Sequence, residues 1–483
     1  MFRAIAQQRP QPYSVAAIKA HPPKAVFLIA VLVFFIGGIG PNAFLAFLAV
    51  CVLVLGVSLL WRPGEPPIFL LLFGMQWLQV SIGTFQANLL GIDINKTVEF
   101  DSDVWRAVLL SLFGLAFLAV GIRVGAGRWR LEFPLFARQI AARYPVSAFF
   151  RLYAIAFAAA FFSEGLAHLM PGLSQPFLAV TCVKWAFFWL LGYSTFCQRG
   201  SRKAFFIAAF LLELGWGLGG FFSDFKTVFF VSFLALAAAN VRISPSTGIG
   251  LTVVAILVLI FGVIWSAIKP EYRAYVSGGE HAQIVSVGFS DRMTKLGELV
   301  SALDREALAD GADRLVKRLS YVEFFGAVLL YVPTMVPHEQ GAIWWDAITR
   351  PFMPRLLFPG KAIIDDSERT NKYTGLGISG SDVGASISIG YLGESYIDFG
   401  EVGMMAPIFL LGVFLGGAYR WLITMSYTRG VLGYGLAIGV LLGGLFAETS
   451  ITKSAGGFIV SLLVVWLIAK YAGPRVFPWL QLR

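Results

Sequence analysis

Apolar runs of roughly 20 residues recur along most of this chain, each long enough to cross about 30 Å of hydrocarbon. Nine are read before residue 269 and three after residue 400. A lipid environment leaves backbone groups no solvent partner, so such runs fold as helices that satisfy their own hydrogen bonds. Strand alternation is absent, which removes a β-barrel. The expectation is an all-α polytopic membrane protein with about twelve transmembrane helices. Only 14% of the 483 residues are charged, well below the roughly 25% of a soluble chain. Cys51, Cys182 and Cys197 all fall inside apolar runs. No disulfide framework and no Cys/His metal spacing follows, and neither a metal nor a cofactor is expected.

The surplus of basic residues orients the chain. The segments on the side of the N-terminus hold 19 Lys and Arg, against Lys96, Lys226 and Lys453 in the short turns of the other side. Short loops rich in Lys and Arg stay cytoplasmic. Both termini are therefore expected inside, and the net charge of +10 is read as topology, with no nucleic acid as partner. The first apolar run lacks a small-residue cleavage site and is expected to be retained.

One long polar stretch, 269–400, interrupts the pattern. It carries 13 of the 38 basic and 17 of the 28 acidic residues. It is expected as one large, partly helical external loop between spans nine and ten. That divides the chain into 1–268 (nine spans), 269–400 (loop) and 401–483 (three spans and a tail). Met293, Leu296, Val300, Leu303 and Ala307 recur at helical spacing, which predicts a helix over 291–310 broken at Gly311. A second short helix follows, with Arg314, Lys317 and Arg318. The segment 321–336 is apolar but short, and an interfacial helix is expected there.

Three groups of residues carry chemistry. Pro354-Arg355-Leu356-Leu357-Phe358-Pro359-Gly360-Lys361 holds two cations on a proline-stiffened segment. Arginine offers a planar fork for phosphate oxygens and lysine a compact charge. Gly390-Tyr391-Leu392-Gly393-Glu394-Ser395-Tyr396-Ile397-Asp398-Phe399-Gly400 places two acids four apart, on one helix face. Glu394 is suited to accept a proton from a hydroxyl. Asp398 is read first as a cap or anchor. Asp224 and Lys226, between two spans, form a secondary candidate with Asp398 and Tyr391, because ionisable groups at membrane depth are costly and usually functional. Lys184 and Glu213 fall under the same reasoning, with a buried ion pair as the plain alternative. Arg273, Arg292 and Arg318 add cations to the outer face. No Walker loop, HExxH or dinucleotide fingerprint occurs.

The layout and these two motifs resemble the bacterial oligosaccharide repeat-unit polymerases, the O-antigen polymerase or Wzy-like group of membrane glycosyltransferases. Residues 354–361 look like the family's Pro-Arg then Pro-x-Lys stretch, and 390–400 like its Gly-Glu-x-Tyr-x-x-Phe-Gly stretch. The resemblance implies a metal-independent transfer at the periplasmic face of the inner membrane, in polysaccharide biosynthesis. The growing glycan on undecaprenyl pyrophosphate passes to a hydroxyl of a new lipid-linked unit. Glu394 and Arg355 are then the expected catalytic residues. Arg355, Lys361, Arg273, Arg292 and Arg318 are expected to hold pyrophosphate. Trp344, Trp345, Tyr373 and Tyr391 are candidates to line the sugar path. The implied partners are the lipid-linked oligosaccharide, the bilayer, a chain-length regulator and export proteins. An O-antigen ligase-type transferase, for which His281 and His338 are candidates, and a lipid-linked glycan flippase are the rival readings.

Overall fold

The computed structural model describes residues 24–480, apart from 131, 199–202, 219–224, 240–244, 279–285, 356, 359, 363, 379–385, 426–430 and 444–446. Among the described residues all regular structure is helical. The first half contains α1 (Lys24–Gly37), α2 (Ala43–Leu60), α3 (Ile68–Leu90), α4 (Val104–Ala126), α5 (Glu132–Arg143), α6 (Val146–Leu169), α7 (Ser174–Ala179) and α8 (Thr181–Cys197). Then come α9 (Ala204–Leu218), α10 (Lys226–Ala238) and α11 (Pro245–Val276). The polar stretch supplies α12 (Phe289–Ser301), α13 (Arg305–Leu319), α14 (Glu323–Tyr331), α15 (Ala342–Thr349) and α16 (Asp366–Thr374). The chain ends with α17 (Gly390–Gly403), α18 (Met405–Thr424), α19 (Val431–Leu442) and α20 (Ile451–Leu480).

Seven stretches among the described residues are long and apolar enough to cross a membrane: α2, α3, α4, α6, α7 with α8, α18 and α20. The protein is thus an all-helical, multi-pass membrane protein. Among the described residues the helices of the expected first, seventh, eighth and eleventh spans cover 14, 15, 13 and 12 residues. At 1.5 Å per residue a 12-residue helix covers about 18 Å, short of the roughly 30 Å hydrocarbon layer. The ninth runs past its expected end, as one 32-residue helix that takes in Glu271 and Arg273.

Glycines decide which spans meet. Helices leaving lipid for one another gain little hydrophobic energy, so close approach of small residues drives their association. Gly121 and Gly125 of α4 face Gly412 and Gly416 of α18 so closely that a Cβ at any of them would strike the opposing backbone. Gly435 and Gly439 of α19 pack in the same way onto the carbonyls of Ala186 and Cys182 in α8.

Buried ion pairs pin other spans. Lys184 Nζ lies 2.8 Å from Glu213 Oε2, and the Tyr153 hydroxyl donates to Glu213 Oε1 at 2.9 Å, joining α6, α8 and α9. Arg62 pairs with Glu65 at 2.6 Å, and Tyr419 of α18 donates to the same carboxylate at 2.7 Å.

The polar stretch departs from its expected outline. The helix beginning at Phe289 stops at Ser301, and a new one starts at Arg305 and runs through Gly311. Asp304 makes the break by accepting a hydrogen bond from Ala307 N at 2.8 Å, which satisfies one of the open donors of a helix start. Gly311 serves close packing: a Cβ there would lie 2.7 Å from Val263 O and 2.9 Å from the Ala267 Cβ of α11. The inward face of α12 is centred on Leu299, with Leu296 beside it and Leu303 just beyond the helix, against Ile268, Tyr272 and Val276. Val300, expected on that stripe, is exposed. The interfacial helix expected over 321–336 is nine residues long, and its Phe325, Ala327, Val328 and Leu329 are buried in protein.

Candidate functional site

The site is built on α3, whose polar residues stand in an otherwise apolar helix. Gln76 Oε1 accepts from the buried Tyr391 hydroxyl at 2.6 Å. Gln79 Nε2 donates to Glu448 Oε2 at 3.0 Å, and Gln79 Oε1 accepts from Ala447 N at 3.1 Å. Gln79 O also accepts from Tyr321 N at 3.2 Å. The Tyr321 hydroxyl in turn donates to Ser388 O and accepts from Ser388 N. One helix therefore holds the starts of α14 and α17 and the turn before α20. Gly390 makes this possible. Its φ of +84° lies in the left-handed region, and a Cβ there would strike Ala447 O.

At the centre, Arg369 Nη1 lies 2.7 Å from Glu394 Oε1 and donates to Thr452 Oγ1 at 3.1 Å. Glu394 Oε2 accepts from Ile451 N at 2.6 Å, taking up an open donor at the start of α20. Glu394 is fully buried. Burial pushes its carboxyl above the ordinary range, against the pull of Arg369 and of the Ile451 N–H. With both oxygens engaged and no exposed surface, Glu394 is placed to tie α16, α17 and α20 together; the sequence reading expects it as the base for the acceptor hydroxyl. Asp366 pairs with Lys453 at 2.7 Å, a second link from α16 to α20.

Beside this centre, Arg350, Arg355, Lys361 and Lys453 line one cavity of about 260 Å³, together with Thr452, Pro351 and Pro354 and residues 172–176 at the start of α7. The proline segment is folded back on itself. Lys361 Nζ donates to Arg350 O at 2.7 Å and Met353 O at 2.9 Å. Arg350 Nη1 and Arg355 Nη2 both reach Ala362 O, at 2.9 and 3.4 Å. Partial burial, then the like charges of Arg350 and Arg355, hold the Lys361 ammonium below its ordinary range. An anion in the cavity would relieve that repulsion.

A second, apolar groove of about 540 Å³ adjoins it. Ser454, Ala455, Phe458, Leu462 and Trp466 of α20 line the groove, with Trp344, Ile348 and Phe352 across from them. Thr452, Lys453, Gly456 and Val460 of the same helix line the cationic cavity. Two neighbouring faces of α20 therefore line a cationic cavity and an apolar groove, and the segment 348–352 walls both.

The sequence-predicted residues divide. Arg355 and Lys361 meet in the cavity. Arg273 and Arg292 do not line it: they sit on α11 and α12, and Arg292 lies over the Phe289 ring at 5.5 Å. Their helices pack on one another, with α13 against α11, which spacing along the chain does not show. The Arg318 side chain and Asp224 lie outside the described residues, as does His281. Lys226 is exposed at the start of α10. Asp398 caps α15, accepting from Ile343 N at 3.2 Å and Trp344 N at 2.8 Å, a different helix from the span entry it was expected to cap or anchor. Tyr391 is a buried strut, Trp344 lines the groove, Trp345 is exposed, and Tyr373 donates to Glu339 at 2.6 Å. His338 Nδ1 is 3.1 Å from Ile397 O.

Sequence reading missed Gln76, Gln79, Arg350, Arg369, Glu448 and Lys453. Two glutamines three apart in an apolar span were the available signal, because a polar face inside lipid is costly unless something pairs with it. Lys453 read as a turn charge, and its convergence with Arg350 depends on the fold. No curated protein and no solved structure matches the chain. A family model does match, over residues 136–464, which runs from α5 into the first half of α20 and so takes in the cavity, the Arg369–Glu394 centre and the groove apart from Trp466. The chain accordingly belongs to the family described as a domain of unknown function, DUF8712.

Proposed function

We propose that this protein is a membrane glycosyltransferase that polymerises lipid-linked oligosaccharide units, moving a growing glycan from undecaprenyl pyrophosphate to a hydroxyl of a new unit. The observation that carries the reading is the convergence of Arg350, Arg355, Lys361 and Lys453 on one cavity that shares walls with an apolar groove. The leaving group is a charged pyrophosphate on an apolar tail. Fixed cations lower the energy of the charge it develops, and the groove suits the tail. The resemblance of residues 354–361 and 390–400 to the repeat-unit polymerases supports the same chemistry.

In this reading about twelve spans place 269–400 at the periplasmic face of a bacterial inner membrane, with both termini in the cytoplasm. A chain-length regulator and export proteins are the natural partners. A cysteine at Ser301, exposed on α12, then labels with an impermeant reagent in intact spheroplasts. Labelling that requires lysis reverses the orientation. Deleting the gene and sizing the lipid-linked glycans tests the activity. Single units accumulating at the outer face support a polymerase. Long chains that are not transferred point to a ligase, and units trapped inside point to a flippase.

A further inference from the structure

The proposed transfer needs a group to take the proton of the attacking hydroxyl, and the inference below rests on that reading. Among the carboxylates around the centre and the cavity, Asp346 gives both oxygens to Arg350 Nε, at 3.1 and 2.9 Å. Glu394, Asp366 and Asp398 are closed off, at 0%, 4% and 1% exposure, and each has a structural partner: Arg369, Lys453, and the N–H groups of α15. Glu448 differs. It is half-buried, in the turn that leads directly into Thr452 and Lys453 on the cavity wall. Its position is fixed from two sides. Gln79 holds Oε2 and the neighbouring Ala447 N–H, and Tyr391 N donates to Thr449 O at 3.0 Å. Among the described residues no hydrogen bond reaches Oε1. A carboxylate held on one oxygen and open on the other, next to a cation cavity, has the geometry of a proton acceptor.

We infer that Glu448 is the base that accepts the proton of the acceptor sugar hydroxyl, and that Gln79 orients it. The hydroxyl O–H bond breaks and its proton passes to Glu448, while its oxygen bonds to the donor's anomeric carbon. The bond from that carbon to the pyrophosphate oxygen breaks, and its electron pair leaves with the lipid pyrophosphate on the cations of the cavity. Glu448 then releases the proton to water and is ready for the next unit. Gln79 acts through Glu448 and is a positioning residue.

The test uses membranes containing the full-length chain and lipid-linked single units extracted from the deletion strain, with chain extension followed at several pH values. Glu448→Gln is expected to extend chains about 100- to 10,000-fold more slowly at wild-type membrane levels, with the acid limb of the pH profile gone. Glu448→Asp, which keeps the carboxylate, recovers part of the rate and restores that limb. Gln79→Leu lowers the rate and shifts the limb without abolishing it. A Glu448→Gln protein within threefold of the wild-type rate overturns the assignment while leaving the transferase reading intact. So does a loss that only follows membrane level and is shared equally by Glu448→Asp. A wild-type chain that extends no units overturns the transferase reading, and this assignment with it.

Discussion

Two buried ion pairs in this molecule share their chemistry and differ in everything around it. Lys184–Glu213 lies among the spans, 2.8 Å apart, with side chains 7% and 2% exposed. Tyr153 holds the second carboxylate oxygen. The ammonium lies 4.6 Å from the Trp185 ring centre and 5.5 Å from that of Phe157, so aromatic faces enclose it. Arg369–Glu394 is 2.7 Å apart, with side chains 20% and 0% exposed. Its third partner is the start of a helix, and that helix lines both the cationic cavity and the apolar groove. A buried pair by itself is therefore weak evidence of a site. What distinguishes the second pair is that it fixes elements whose neighbouring residues form a charged, accessible surface.

Replacing both members of each pair tests this contrast with the largest effect. Removing one partner of a buried pair costs about 3–5 kcal/mol, because the other charge stays buried alone. Arg369→Ala is expected to lose most of its membrane accumulation and all polymer, although no sequence motif marks the position. Lys184→Ala should lose accumulation to a similar degree. Replacing both partners by apolar residues of similar size is often neutral for stability. Lys184→Met with Glu213→Leu should then regain both accumulation and polymer. Arg369→Met with Glu394→Leu should regain accumulation without polymer. If the second double variant polymerises normally, the two pairs are equivalent and the contrast fails.

The cavity itself is sharpened by single substitutions read against membrane level. Arg355→Ala and Lys361→Ala are each expected to slow extension about 100- to 1,000-fold at normal membrane levels. Arg355→Lys should also be slow, since one ammonium does not reproduce a planar fork. Arg292→Ala, which removes a cation that lies off the cavity, should extend chains at the wild-type rate. Chain sizing on gels with quantified membrane protein reads all four.

The smallest effect concerns α14. Burial pushes the Glu323 carboxyl up to about 7, against the pull of Lys317 and with help from Glu99. A carboxyl with a raised folded-state pKa binds more protons folded than unfolded. Its penalty is absent below the ordinary carboxylate range, grows as pH rises toward about 7, and is complete above it. Glu323→Gln should raise the melting temperature by a few degrees at pH 8 and leave it unchanged at pH 4. A shift of the same size at both values shows that the carboxyl is not the cause.

The sequence by itself determined the class and the place of the charged surface. Hydrocarbon thickness and the cost of unpaired backbone leave little freedom to runs of apolar residues, so the helical, multi-pass architecture was legible. The proline segment with Arg355 and Lys361 was legible too, because those cations are close along the chain. Span ends were less so: α11 runs on through Glu271 and Arg273 to Val276, and a run of apolar residues does not reveal where its helix ends. The tertiary structure alone decided the rest. Arg369 meets Glu394 across 25 positions, Lys453 joins Arg350 across about a hundred, and Gln79 reaches Glu448 across 369. Such partners are chosen by which helices can approach closely, and here glycines such as Gly121, Gly390 and Gly412 set that approach. Burial follows from the same packing, and it encloses Glu394 while leaving Glu448 half-buried.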